Sequence, residues 1–192
     1  MIFLAAVAAG CARRPSKELE EARRRLVEAE AARAPVYSPS SFEEARRTLH
    51  DAEKLASQRK YDDARIVALE SAARSRSAIR LAAENRKKML EALRVNLEDT
   101  DRQLTDAEQE ISVAEARHID AKEIEMFRRD LEGARGKLAA ARRSQESGDL
   151  PGGRKASEDA RIAADMVLRE IRFAVAENPI LHPPPRKHRR RP

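Results

Sequence analysis

The sequence predicts an all-α fold: elongated antiparallel helical hairpins in a coiled-coil-like bundle, with two tandem repeats joined by a long central helix. Charged residues make up 38% of the 192 residues and aromatic residues 3%, with no Trp. β-Sandwiches and barrels need more aromatic and β-branched residues, so they are excluded. Apolar residues recur at spacings of three and four, as on one face of a helix. Residues 62–132 contain neither Pro nor Gly, which favours a long uninterrupted helix.

The first residues resemble a bacterial lipoprotein signal. Residues 1–10 are apolar and end in small residues before the only cysteine, Cys11. This run is too short to span a bilayer, which needs ~20 residues. Val7-Ala8-Ala9-Gly10-Cys11 is similar to a lipobox, although Ala8 stands where Leu is usual and no Lys or Arg precedes Cys11. Residues 1–10 are therefore predicted to be a signal peptide, residues 11–15 the anchor and linker, and Cys11 the lipidated residue.

This signal also sets the expected location. By resemblance to Gram-negative lipoproteins, Ala12 in place of Asp after Cys11 implies the outer membrane, facing the periplasm. The alternative is a frayed apolar N-terminus with an ordinary buried cysteine. A single cysteine in either case excludes an intrachain disulfide and a zinc site built from several cysteines.

Prolines and a capping pattern delimit the first two helices. The first helix is predicted over residues 16–34, with Ser16 as its N-cap, and it ends before a pair of prolines. The second is predicted to begin at Ser40, which would form a capping box with Glu43, and to end near residues 58–60. Leu and Ala at helical spacings give both helices an apolar face.

The third helix is predicted to run without interruption over residues 62–116. Such a helix would be roughly 80 Å long at ~1.5 Å per residue. Its seam is a heptad pattern with Thr100 as a polar exception. Apolar residues occupy every seventh position at Leu90, Leu97, Leu104 and Ile111.

Two further helices complete the chain. Residues 117–120 are the predicted interruption after the long helix, and Asp120 can cap the fourth helix. Residues 148–153 are predicted to form a turn in which Gly148 suits a left-handed conformation. A fifth helix is predicted over residues 154–177. Its predicted inner face consists of Ala156, Ala160, Ala164, Val167, Ile171 and Ala174.

The chain contains an internal repeat. The apolar pattern of the second helix recurs in the fourth, and the start of the third recurs in the fifth after a one-residue slip. We therefore expect residues 16–88 to form one helical repeat and residues 89–177 to form the continuation of the long helix and a second repeat. The matched pairs are Phe42 with Leu131, Ala45 with Ala134, Leu49 with Leu138, Ala52 with Ala141, Tyr61 with Leu150, Ala68 with Ala156, Glu70 with Glu158, and Ala72 with Ala160.

The first half carries motifs of a known family. They are Ala34-Pro35, the spacing of Phe42, Ala45, Leu49 and Ala52, and Tyr61-Asp62-Asp63-Ala64 with Ala68 and Ala72. These motifs resemble the bacterial lipoprotein family with the domain of unknown function 4398, directly over residues 11–85 and through the repeat in the second half. The family's Gly-Asp-Tyr turn is incomplete here, where Arg59-Lys60-Tyr61 and Gly148-Asp149-Leu150 stand. The resemblance implies an alanine-rich helical envelope lipoprotein of undefined molecular role.

The residues carry no pattern typical of an active site. The four histidines are scattered, and no pair has the spacing of helical metal ligands. No serine lies in a nucleophile elbow, and Gly152-Gly153-Arg154-Lys155 lacks the rest of a phosphate loop. We therefore predict that the protein is not an enzyme and has neither cofactor nor metal.

Residues 178–192 are predicted to be a disordered, Pro-rich basic tail. The chain has a net charge of +6, and five of its positive charges lie in the tail. They belong to Arg186, Lys187, Arg189, Arg190 and Arg191. Such a cluster favours binding to a polyanion, here an anionic envelope polymer, lipid phosphates or an acidic protein. Nucleic acid is disfavoured, since no aromatic residue near the tail could stack on bases. The alternative is a solubilising end without a partner.

Three functional interpretations follow. The first is a non-enzymatic, lipid-anchored envelope protein with a structural, scaffolding or adaptor role, which binds the membrane through its anchor and self-associates through its helix seams. The second is a cytosolic coiled-coil protein that binds nucleic acid or another polyanion through its tail. The third and least favoured is an enzyme whose site a partner completes. The sequence identifies neither the partner nor the oligomeric state.

Overall fold

A computed structural model describes residues 14–177, and 91% of these residues are helical, with no strand among them. The all-α prediction is therefore confirmed for this part of the chain. The predicted signal peptide, the anchor Cys11 and the basic tail of residues 178–192 lie outside the described residues. The helices are α1 (Ser16–Ala31), α2 (Ala34–Tyr37), α3 (Pro39–Ser57), α4 (Tyr61–Ala116), α5 (Ala121–Glu146) and α6 (Leu150–Glu177).

The chain divides into two compact units between Lys88 and Met89. The first unit packs α1, α2 and α3 against the first part of α4. Its core is built largely from alanine, and a small side chain lets helix backbones approach closely. The core cluster consists of Leu19, Ala22, Leu49, Ala52, Ala56, Ala64, Ala68 and Ala72.

Buried polar side chains tie the helices of the first unit together. The Ser71 hydroxyl donates to the carbonyl of Ala45 at 2.9 Å, which joins α4 to α3. The Ser38 hydroxyl donates to the carbonyl of Ala78, also at 2.9 Å. Because these two buried hydroxyls each have a partner on another element, their bonds fix the sliding position of one element along the next.

The second unit packs the part of α4 from Met89 onward against α5 and α6. Its core is bulkier and includes Leu93, Leu131, Leu150 and Ile171, all at most 3% exposed. Arginine–carboxylate pairs connect its helices along the surface. These pairs are Arg128 with Glu115, Arg135 with Glu108, Arg142 with Asp101, and Arg172 with Glu110.

The beginning of α3 differs from the prediction. The helix starts at Pro39 rather than at Ser40, and its N-cap residue Ser38 makes no side-chain capping bond. The predicted capping box of Ser40 with Glu43 is therefore wrong. Proline is well placed in the first turn of a helix because its missing N–H has no partner there. The Ser38 hydroxyl is used instead in its bond to Ala78.

The segments around α1 and α2 also differ from the prediction. α1 ends at Ala31, and the left-handed residue Arg33, at φ 58°, leads into the separate short helix α2. The N-cap of α1 is Pro15, so Ser16 is the first helical residue. The prolines thus separate helices here without leaving an extended segment between them.

The turn before α6 is shorter than predicted. Gly148 has φ 78°, as its predicted left-handed role requires. The helix then begins at Leu150 and includes Pro151, Gly152 and Gly153, which were predicted to be turn residues. The side chain of Asp149 accepts a bond from the backbone N–H of Gly152 at 3.1 Å, which satisfies one free donor of the first helical turn.

The heptad seam of α4 is confirmed in part. Leu97, Leu104 and Ile111 are at most 5% exposed, and the polar exception Thr100 is buried, with its hydroxyl donating to the carbonyl of Asn96 at 2.7 Å. Leu90 departs from the pattern because 39% of its surface is exposed.

Buried positions recur 89 residues apart in the two units. This spacing holds from α3 to α5 and from the start of α4 to α6 without the predicted one-residue slip. Ala156 is half-buried, and the following residue, Ser157, is buried in its place. The corresponding buried residues are Phe42, Ala45, Leu49, Ala52, Ala64, Ala68, Ser71, Ser75, Ala78 and Ala82, with Leu131, Ala134, Leu138, Ala141, Gly153, Ser157, Ala160, Ala164, Val167 and Ile171.

Candidate functional site

The site residues predicted from the sequence fall at the two ends of the chain. Cys11, the predicted lipidation site, and the five basic residues of the tail lie outside residues 14–177. Their roles stay predictions. Within the described part, no helix is both long enough and apolar enough to cross a membrane.

Two of the four histidines lie within the described residues. His50 is exposed on α3, and His118 occupies a left-handed turn at φ 59° between α4 and α5. Among residues 14–177 there is no group of three or more histidine, cysteine, aspartate or glutamate residues placed to hold a metal ion.

Acidic and basic residues are paired along the exposed helix faces. Arg25 donates to the carboxylate of Glu21 at 2.7 Å, and Arg24 bonds the same carboxylate. These bonds lower the pKa of Glu21 below its usual value, and the bond from Arg25 has the larger effect. Arg161 lowers the pKa of Glu158 in the same way. Ion pairs on one turn of a solvated helix contribute little to its stability. These clusters are therefore interpreted as solvated surface.

The most distinctive exposed feature of the second unit is a line of residues along α6, which we call the α6 stripe. Three of its members are large apolar residues with much of their surface in solvent: Ile162 at 45%, Met166 at 56% and Phe173 at 65% exposed. Alternating steps of four and three residues keep the whole stripe on one face, opposite the buried face of α6. The stripe consists of Lys155, Asp159, Ile162, Met166, Arg169 and Phe173, all of them exposed.

A groove between α5 and α6 lies beside this stripe. It has a volume of about 330 Å³, and Ile162 and Met166 line it together with Gly133 and Ala163. A Cβ atom placed on Gly133 would meet no other atom within 4 Å. The missing side chain therefore opens the groove, and an apolar side chain from another molecule could enter it. Arg129, Asp130, Lys137 and Glu170 form its polar rim.

Sequence reasoning identified the inner face of α6 and missed the stripe. Ala160, Ala164, Val167 and Ile171 are buried as predicted. The other two predicted positions, Ala156 and Ala174, are half-buried. A search for a second heptad pattern on the same helix would have found the stripe, because both patterns have the same period and differ only in phase. A helix that carries large apolar residues on its outer face as well has more apolar surface than one hairpin partner can cover.

A family model matches most of the first unit. Residues 17–94 match DUF4398, a domain of unknown function. The resemblance predicted over residues 11–85 is thereby confirmed, whereas the match does not extend to the second half and leaves the lipoprotein character a prediction. The DUF4398 match includes α1, α2, α3 and the part of α4 up to Arg94, and it stops before α5 and α6. No curated protein and no solved structure matches the chain.

Proposed function

We propose that the protein is a non-enzymatic, lipid-anchored protein of the bacterial envelope with a structural, scaffolding or adaptor role. The observation that carries this proposal is the position of Cys11. It follows the lipobox-like Val7-Ala8-Ala9-Gly10 and precedes the first residue of α1 by five positions. Lipidation there would place the DUF4398 domain directly beside a membrane surface, which we propose is the periplasmic face of the outer membrane.

The helical architecture supports a role in binding other macromolecules. Each unit has a core of its own and carries large exposed apolar residues on its outer faces, such as Ile66 at 65% and Met166 at 56% exposed. Exposed apolar faces on a rigid helical support are suited to docking. The constant spacing of 89 residues between buried positions supports a finer proposal, that residues 16–88 and 89–177 are duplicated, hairpin-based helical repeats.

Metabolic labelling with a clickable fatty acid tests the anchor. The native chain should incorporate the label and fractionate with membranes, because two or three acyl chains at ~0.8 kcal/mol per buried CH₂ give stable anchoring. Cys11→Ser should abolish both the incorporation of the label and the fractionation with membranes. Ala12→Asp is the matched control and should keep the label while moving the protein to the inner membrane. A native chain that is unlabelled and soluble in the cytoplasm would refute the proposal.

The second candidate function is binding to a polyanion through the tail, whether in the envelope or in the cytosol. Five basic residues within residues 186–191 favour it, since clustered like charges gain by meeting an anionic surface and releasing its counterions. Deletion of residues 183–192 should weaken binding to anionic vesicles and leave binding to neutral vesicles unchanged. Added salt should weaken binding of the intact chain in the same way. Equal binding by the deletion and the intact chain at low salt would show that the tail has no such role.

A further inference from the structure

We infer that the α6 stripe is the interface of an antiparallel homodimer, in which α6 of one chain packs along α6 of a second copy. The inference concerns the second unit alone and does not depend on the lipid anchor. It differs from association through the α4 seam, where Leu97 and Leu104 are buried within their own chain. The chemistry of the stripe favours this interface, because the stripe is complementary to itself when the helix is reversed.

The stripe has the periodicity of an antiparallel two-helix contact. From Lys155 to Phe173 its members are separated by alternating steps of four and three residues. These are the a and d positions of a heptad, the positions that interdigitate between two helices crossing at a small angle. The 18 residue steps from Lys155 to Phe173, at ~1.5 Å each, make a contact about 27 Å long.

The centre of the stripe is apolar and symmetric about Ala164. Ile162 and Met166 lie two residues from Ala164, on either side. If a twofold axis crosses the stripe at the level of Ala164, whose own side chain is buried on the opposite face, Ile162 of one chain faces Met166 of the other. The same contact then occurs again across the axis. The groove over Gly133, which Ile162 and Met166 line, leaves room for the partner's side chains at this point.

The ends of the stripe are complementary in charge under the same axis. Asp159 and Arg169 lie five residues from the axis on opposite sides, so each aspartate faces the other chain's arginine. Arg169 already bonds Asp165 of its own helix at 2.6 Å, and its side chain is 78% exposed, so it can also reach a second carboxylate. Lys155 and Phe173 lie nine residues from the axis, which places an ammonium group against each aromatic ring.

This complementarity favours a second copy of the chain over a different protein as the partner of the α6 stripe. A parallel pair would place Asp159 against Asp159 and Arg169 against Arg169, which is repulsive, whereas the antiparallel pair matches all three kinds of residue at once. The ionic contact, the apolar contact and the contact between the ammonium group and the aromatic ring are each formed twice, as a twofold interface requires. Since the contact is confined to one helix and its groove, we expect a dimer with a dissociation constant on the order of 10 μM.

Sedimentation equilibrium of charge-reversed variants tests the proposed dimer. All variants are made in the full chain carrying Cys11→Ser. Asp159→Arg or Arg169→Asp alone should weaken the dimer at least about tenfold, because each places like charges in contact twice. The double variant should restore the affinity of the parent chain. Glu146→Arg makes the same charge change on an exposed residue outside the stripe and should have no effect. A chain that stays monomeric at about 200 μM, or a dimer equally affected by Asp159→Arg and Glu146→Arg, would overturn the inference.

Disulfide formation tests the direction of the helices. In the Cys11→Ser chain, Ile162→Cys mixed with Met166→Cys should cross-link under mild oxidation, since antiparallel packing brings these positions within the ~7 Å between Cα atoms that a disulfide tolerates. Ile162→Cys alone should cross-link far more slowly. Rapid cross-linking of Ile162→Cys alone would indicate parallel helices and would overturn the antiparallel assignment.

Discussion

Replacement of Leu104 by alanine should destabilise the second unit strongly. Leu104 lies on the α4 seam and is 2% exposed. The change removes three side-chain carbons, which is a loss of about 2.4 kcal/mol at ~0.8 kcal/mol for each buried carbon group. The cavity left between the helices adds to this, so the free energy of unfolding should fall by about 3 to 4 kcal/mol. Urea unfolding followed by circular dichroism measures the change.

Leu90 provides a matched control for this prediction. It is the same residue type on the same helix and belongs to the same predicted seven-residue series, but 39% of its surface is exposed. Leu90→Ala should therefore cost roughly 1 kcal/mol or less. Leu104→Asp should cost more than Leu104→Ala, because it also places a charge in an apolar seam. Equal losses for Leu90→Ala and Leu104→Ala would show that α4 is not packed as described.

Four further substitutions have expected effects that urea unfolding can measure. Gly133→Ala should raise the free energy of unfolding by up to about 1 kcal/mol, since the site is helical and open space surrounds the added Cβ. Gly148→Ala should lower it by about 1 to 2 kcal/mol, because φ is 78° there. Asp120→Ala should cost about 1 kcal/mol, because the Asp120 side chain caps α5 through its 2.8 Å bond to the N–H of Lys122. Arg161 lowers the pKa of Glu158 below its usual 4.5, so that pair stabilises the fold above this pH and its contribution is lost as the pH falls through the lowered pKa. Arg161→Ala should therefore make the decline in stability on acidification slightly smaller, and a steeper decline would contradict the reasoning.

Local chemistry and periodicity predicted the features that depend on few neighbours. The Asp120 cap and the left-handed Gly148 follow from residue type alone, because a short acceptor and a missing Cβ serve these positions in almost any context. The inner faces of α3, α5 and α6 follow from spacings of three and four. The long helix α4 follows from the absence of helix-breaking residues over residues 62–132.

Features that depend on tertiary competition could not be predicted in the same way. Ser40 with Glu43 has the spacing of a capping box, but α3 begins one residue earlier, with Pro39 in its first turn. Residues 150–153 contain a proline and two glycines, but they are helical because Leu150 is 1% exposed and is anchored in the core. A buried leucine at the first helical position can outweigh the unfavourable propensity of the glycines that follow.

The use of alanine in the seams explains why large apolar residues occur on the surface. In the first part of α4, Ala64, Ala68 and Ala72 are at most 2% exposed, whereas Ile66 and Leu69 are 65% and 51% exposed. Helices that approach closely enough to bury these alanines leave no room for a larger side chain at the same positions. The larger residues therefore occupy the outer faces, where the chain's own helices do not cover them and another molecule can contact them. On α6 the outer face is also complementary in charge to a reversed copy of itself, so there a second chain is the partner that its chemistry fits.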